Sequence, residues 1–341
     1  MKDKLLYFPY INVPYESWIV RNLLYWDEIG AIVPMDYIHE PNLLQREMRE
    51  LVSSQLVRQI IPGEYVYREE NRFAQAFIKL LEDYKIPERN ALSNFGIEFS
   101  SKIHVEKFGY QIIKYLKEKG LAREDRSPWY YVEPITANLF MTYLASFLAN
   151  EDTVDMVPMT DNVANLATFS ELYPYGTYKD LAYVEKMRVE LLSDLFPMPV
   201  NSIKINEIVS FKERYGEMCK RFRKNLEDEI REISFIDSDE EKQWQLSRLR
   251  RNHLEKIKEI EARMKERNWG WISFGTLCGV SSAALPGVTA VATGDFSGAY
   301  QAIPGLAGAV YSIFEGRQSK QKAFLDSPLA YASYVKKTFN R

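Results

Sequence analysis

Apolar residues recur every three or four positions along most of this chain, and short unbroken apolar runs interrupt that rhythm near its start. LLYFPYI, Leu5 to Ile11, reads as a short strand broken by Pro9. The next stretch places Trp18, Ile19, Asn22, Leu23, Trp26, Ile29 and Ala31 at helical spacing, so it predicts one amphipathic helix that Pro34 stops. Trp18 and Trp26 are then core anchors, because large aromatic side chains are mostly buried.

Residues 40–85 and 105–150 carry a weak internal repeat. LVRQIIPGEYVY (Leu56 to Tyr67) aligns with LAREDRSPWYYV (Leu121 to Val132), matching Leu56 to Leu121, Arg58 to Arg123 and Tyr65 to Tyr130. Each copy lies between two helical patterns and holds a turn signal with a short aromatic run. Helix, turn, short strand and helix fit a winged-helix-like unit, and equally any small α+β module.

Residues 150–200 are rich in turn signals, with one helical pattern at Leu181, Val184, Met187, Leu191 and Leu195. From 203 to 268 the pattern is clearest. Ile205, Ile208, Phe211, Tyr215, Met218, Phe222, Leu226, Ile230 and Ile233 form one stripe on a long helix. A break follows at IDSDEEKQ, where Asp237 or Ser238 can cap a second helix. That helix carries Trp244, Leu246, Leu249, Leu254, Ile257, Ile260 and Met264, and the two are expected to fold back as an antiparallel pair. The tail SPLAYASYVKKTFNR predicts a last helix, with Ser327 and Pro328 at its start and Lys336 and Lys337 at its end.

From Asn268 to Gly294 no residue is charged, a longer run than the about 20 residues that span a membrane. After Asp295 the chain is again uncharged from Phe296 to Phe314. Lys265, Arg267, Arg317, Lys320 and Lys322 flank the pair on one side, as a membrane hairpin would require. Much of the segment is Gly, Ala, Ser and Thr, however, and Pro286-Gly287 and Pro304-Gly305 break it, which also suits short helices buried in a soluble fold. A hairpin buried until triggered fits both.

The expected fold is therefore mostly α with minor β. A mixed α+β half spans about 1–195. A helical half spans 200–341, with the long helical hairpin at 203–268 followed by the Gly/Ala-rich segment at 269–314.

Composition narrows the function classes. The charged fraction is 27%, but the net charge is only -3, so any attraction to nucleic acid or anionic lipid must come from a local patch. The two cysteines, Cys219 and Cys278, make no disulfide framework and no zinc pattern, and no long apolar leader opens the chain, so a cytoplasmic setting is expected, conditionally at the inner membrane. His39, His104 and His253 stand in unrelated contexts and read as surface or satisfied core histidines. No phosphate-cradle or nucleophile-elbow motif occurs, so no cofactor and no catalytic residue is assigned. The carboxylate pairs Asp27-Glu28, Glu69-Glu70 and Asp152-Asp155 are of a kind common on solvated surfaces. A nuclease set would have to be forced from Glu64, Glu69 and Lys79, two of which fall in helical pattern. Two basic clusters remain. Lys220, Arg221, Arg223 and Lys224, with Arg248, Arg250 and Arg251, could form one phosphate- or lipid-binding patch if their helices faced each other. Interleaved Glu217, Glu227, Asp228 and Glu229 favour a salt-bridged helix surface instead.

LLYFPYINVPYESWIVRNLLYWDEIGAIVP, LFPMPVNSIKINEIVSFKERYGEMCKRFRKNLE and SPLAYASYVKK together resemble a bacterial family catalogued only as a domain of unknown function. The resemblance spans both ends and the centre, implies no reaction, ligand or site residue, and carries a weak association with defence-related gene neighbourhoods. The reading it leaves is a non-enzymatic interaction or effector protein. Such a protein would act through a protein partner or self-association of its helical pair, with a hairpin at 269–314 that packs or inserts into membrane. The alternatives are an enzyme with a motif-free site in the N-terminal half, and a nucleic-acid-binding module built on winged-helix-like units and the Lys220–Arg251 face.

Overall fold

The structure is a computed structural model that describes residues 2–13, 17–83, 101–161, 177–196, 203–266 and 327–339. Among these, seven short strands are β1 (Lys4–Tyr7), β2 (Glu28–Ile32), β3 (Val57–Ile60), β4 (Ser101–His104), β5 (Ala122–Glu124), β6 (Trp129–Val132) and β7 (Val157–Met159). The helices are α1 (Ser17–Tyr25), α2 (Asp36–His39), α3 (Arg46–Ser53), α4 (Gly63–Val66), α5 (Glu70–Asp83), α6 (Val105–Glu118), α7 (Pro134–Ala149), α8 (Thr177–Leu195), α9 (Ile205–Ser234), α10 (Asp239–Glu266) and α11 (Ala330–Phe339). The fold is thus α+β and mostly helical.

β3, β2, β1 and β7 form a parallel sheet in that order. Leu5 to Tyr7 of β1 and Ile29 to Ile32 of β2, the two central strands, are unbroken buried runs, as strands covered on both faces should be. Leu6, Phe8, Ile32 and Ile60 join the core built by Phe73 and Phe77 of α5, Phe108 of α6 and Phe140 of α7. Phe108 stacks on Phe140 at 4.3 Å between ring centroids. Tyr7, on the opposite face of β1 by strand alternation, meets Trp18 of α1 at 5.6 Å.

The segment expected as one helix up to Pro34 is instead α1 followed by β2. Helical spacing and a buried strand both tolerate the run Ile29 to Val33, and tertiary pairing decided between them: β2 lies between β1 and β3, and Ile29, Ala31 and Ile32 are buried. The turn at Trp26-Asp27 that separates the two elements is held by α9. Cys219 Sγ approaches the carbonyl oxygens of Leu24 and Tyr25 at 3.3 and 3.4 Å. Arg223 Nη1 donates to Tyr25 O at 2.7 Å and to Asp27 Oδ1 at 2.8 Å. Lys212 Nζ donates to Trp26 O and Asp27 O at 2.8 and 3.0 Å. The last carbonyls of α1, which have no partner within their own helix, are met by donors from sequence-distant residues.

The stretches 56–67 and 121–132 that align in sequence each begin with a strand after a helix, β3 after α3 and β5 after α6, and then differ. Tyr65 lies in helix α4 after a strand of the parallel sheet, whereas its counterpart Tyr130 lies in β6 of a separate antiparallel sheet, ordered β4-β6-β5. α6 runs into the β5–β6 hairpin of that second sheet, and β4 pairs with β6. Gly109 breaks α6 with φ 70°. The helical turns after the break are capped by Glu70, whose Oε1 accepts from the N–H of Tyr110 and of Gln111 at 2.6 and 3.2 Å.

All nine stripe residues of α9 are buried, as their spacing predicts. Within the unit Met1–Lys242, α9 packs on α1 and α8. The unit Gln243–Arg341 holds most of α10 and all of α11. On α10, Leu246, Ile257 and Ile260 are buried and His253 shares their face, while Trp244 is 53% exposed. Ser238 caps α10, as read from the sequence, accepting at Oγ from Glu241 N–H at 3.3 Å. On α11, Lys336 pairs with Glu261 at 3.4 Å. Residues 269–314 lie outside the described residues. No helix among the described residues is long and apolar enough to cross a membrane.

Candidate functional site

β2 and β3 end alike. Ile32-Val33-Pro34-Met35-Asp36-Tyr37-Ile38 and Ile60-Ile61-Pro62-Gly63-Glu64-Tyr65-Val66 match in pattern, and the sheet register places Ile32 beside Ile60. In each, proline stops the ladder because it has no N–H to give, and a short helix, α2 or α4, begins. Glu106 spans the two equivalent positions. Its Oε2 accepts from Met35 N–H at 2.8 Å and its Oε1 from Gly63 N–H at 3.3 Å. A carboxylate there is favoured by both helix dipoles.

Gly63 permits this approach, since a Cβ at that position would lie 2.7 Å from Glu106 Oε1 and 2.9 Å from its Cγ. Gly63→Ala is therefore expected to push Glu106 off both amides and to cost about 1–3 kcal/mol, the scale of a buried polar group left unsatisfied. In a Glu106→Ala background the same change should cost little, and chemical denaturation of the four proteins in the cycle measures the coupling. Additive costs would show that Glu106 does not join the two strand ends.

His104 precedes α6 and caps it, its Nδ1 accepting from Glu106 N–H at 3.3 Å. That assigns the ring proton to Nε2, which lies 3.2 Å from Asp36 Oδ2. Burial pushes the His104 pKa down, and the Asp36 carboxylate only partly opposes this, so the ring is neutral at pH 7. Trp129 meets it edge-on at 5.1 Å. Tyr67, half exposed, has its phenol pushed up by burial and by the Glu106 and Glu70 carboxylates.

Next to Glu106 stands Lys107, which is 3% exposed. Burial pushes its pKa down to about 8, with the Glu106 charge pulling weakly the other way. Among the described residues no hydrogen bond or ion pair holds its ammonium group. A buried cation without a counter-ion is costly, and an incoming anion would remove much of that cost. The carboxyl edge of a parallel sheet is also where open α/β folds place ligands. At the position where the strand order reverses, between β1 and β7, Tyr7 Oη donates to Asp161 Oδ1 at 3.1 Å.

The residues singled out in the sequence fall elsewhere. Arg223 is 4% exposed and spent on the α1 turn. Lys220 is exposed and pairs with Glu217 at 2.8 Å, and Arg221 and Lys224 are exposed beside it. Arg248 lies over the Trp244 ring at 5.5 Å, Arg251 is exposed and Arg250 is half-buried. The first four belong to one unit and the last three to the other. Asp27 answers Arg223, and Glu28 answers Lys4 and Arg58 at 3.1 and 2.8 Å. Glu64 lies in α4 and Lys79 in α5, so no strand carries the nuclease set. Among the described residues no group of three or more His, Cys, Asp or Glu could hold a metal ion.

Sequence reasoning passed over Lys107 because it sits in a helical pattern with solvated lysines on either side. The signal that could have raised it is Gly109, which breaks the helical pattern two residues on, so that Lys107 need not lie on the face the pattern assigns it. The matching strand-Pro-helix patterns were also legible and were missed in favour of the offset that aligned Tyr65 with Tyr130. No protein-family model, curated protein or solved structure matches the chain.

Proposed function

We propose that the N-terminal unit binds a small anionic molecule, bearing phosphate or carboxylate, over the ends of β2 and β3, with Lys107 supplying the charge that receives it. The observation that carries this reading is the burial of Lys107 with no hydrogen bond or ion pair among the described residues, one position from the Glu106 carboxylate that closes the two strand ends. With both amides occupied by Glu106, the ligand contact falls to the lysine and to the Tyr67 phenol, on which the Glu106 carboxylate also acts. This is the small-molecule form of the alternative in which a motif-free site lies in the N-terminal half.

A thermal-shift series with inorganic phosphate, pyrophosphate and citrate tests it. At least one of them should raise the melting temperature of the full chain at pH 7, and the rise should vanish in Lys107→Met. No rise with any of the three, or a rise that survives in Lys107→Met, overturns the reading.

The effector reading draws on two features. The stripe of α9, offered for a partner helix, is used within its own unit. The hairpin at 269–314 lies outside the described residues.

A further inference from the structure

The β4-β6-β5 sheet turns one face into the core. Ile103, Val132 and Ala122 turn inward and are buried. Strand alternation then sends Lys102, His104, Trp129, Tyr131 and Arg123 to the other face, where His104 is buried, Trp129 and Tyr131 are half-buried and the two cations are exposed. β6 is the central strand, so its two aromatic rings stand in the middle of that face. The register sets Tyr131 directly between Lys102 on β4 and Arg123 on β5. Lys102 Nζ lies 4.7 Å and the Arg123 guanidinium carbon 5.2 Å from the Tyr131 ring centroid. Both cations are exposed, and exposed Arg126 extends the row at the tip of the β5–β6 hairpin. Asp125 is the carboxylate of this row, and it holds Lys102 Nζ at 2.7 Å. Glu124 pairs across the sheet with Tyr130, not with Tyr131, and reaches Lys117 at 3.7 Å.

Half-buried aromatic rings on one sheet face, with exposed cations one strand away on each side of Tyr131, offer two kinds of contact at once. A base can stack on a ring, and its phosphates can reach the flanking cations. A small anion would need no ring, and an anionic lipid surface would need no ring held in register with two cations. We propose that this face binds single-stranded nucleic acid, with bases stacked on Tyr131 and Trp129 and phosphates met by Lys102, Arg123 and Arg126. The inference does not rest on the Lys107 site, which lies over the parallel sheet.

Fluorescence anisotropy of the full chain with labelled oligo-dT and oligo-rU of about 16 nucleotides at low salt tests it. Binding of at least one oligomer should weaken steeply as salt rises. Tyr131→Ala should weaken it roughly tenfold, while Tyr131→Phe, which keeps the ring, should bind as the parent does. Arg123→Glu with Arg126→Glu should reduce it further, and melting temperatures equal to the parent's would show that these exposed changes leave the fold intact. The proposal is overturned if neither oligomer binds, if binding is unchanged in Tyr131→Ala, or if vesicles containing phosphatidylserine bind while both oligomers do not.

Discussion

Arg188→Met is expected to destabilise the first unit by about 3–5 kcal/mol and to reverse the sign of its pH dependence in mild acid. Arg188 is buried and forms a fork on Glu227, with Nε at 2.5 Å from Oε1 and Nη2 at 2.7 Å from Oε2. It also pairs with buried Glu185 and lies over the Trp26 ring at 5.2 Å. Tyr25 Oη donates to the same Glu227 at 2.6 Å. Burial alone would push the Glu227 pKa up, but Arg188 and the Tyr25 hydrogen bond outweigh it and hold the carboxyl below its usual value. A carboxyl depressed in the folded state adds stability above its unfolded value of about 4.3, and that stability is lost as pH falls through the folded value. Without Arg188, two buried carboxylates lose their cation, burial dominates, and Glu227 rises above its unfolded value. The variant should then lose stability as pH climbs from about 4.3. Urea denaturation between mildly acidic and neutral pH measures both slopes. A variant whose slope keeps the parent's sign would show that Arg188 does not govern this carboxylate.

Lys107→Met is expected to stabilise the free protein at pH 7, a result opposite to that of most core substitutions. The folded lysine is pushed from 10.5 to about 8. Below about 8 both states carry the proton, so the cost of the buried charge, about 3 kcal/mol, is present in full at neutral pH. As pH rises from about 8 to 10.5 the folded lysine loses its proton while the unfolded chain keeps its own, so the parent gains stability. The advantage of the methionine variant should shrink over that window and disappear above it. Melting temperatures of both proteins from pH 7 to strongly alkaline conditions measure this. A variant less stable than the parent at pH 7 would mean that the ammonium is already well held. A residue that costs stability and whose loss costs ligand binding is the pattern of a site kept for function.

Much of the helical architecture is readable directly from residue spacing. The stripe from Ile205 to Ile233, the Ser238 cap and the closing helix with Lys336 and Lys337 all stand as local pattern and capping chemistry predict, because each depends on residues a few positions apart. Of the two aligned stretches, residues 121–132 become the β5–β6 hairpin of an antiparallel sheet. In the other, the same aligned letters become a strand and helix of a parallel sheet. A short apolar run cannot choose its partner strand by itself, and the alignment of Tyr65 with Tyr130 held no information about pairing.

The candidate site was less legible. Glu106 and Lys107 are adjacent in a helix start, yet one closes two strand ends and the other is buried without a counter-ion. The basic cluster gave the opposite error. Arg223 has the letters of a phosphate patch, but its position on the buried side of α9 makes it a cap for α1.

The sequence by itself determined the mostly helical α+β class, the long amphipathic α9, the helix ends that carry their own caps and the near-neutral balance of charge. These follow from periodicity, propensity and short-range hydrogen bonding. Only the tertiary structure decided that Ile29 to Val33 is a strand, that Arg188, Arg223 and Lys212 serve the end of α1, that Glu106 joins two equivalent strand ends, and that Tyr131 stands between two cations. Each of those outcomes depends on groups far apart in the chain meeting out of water, where an unpaired charge or amide is costly and its partner comes from another element.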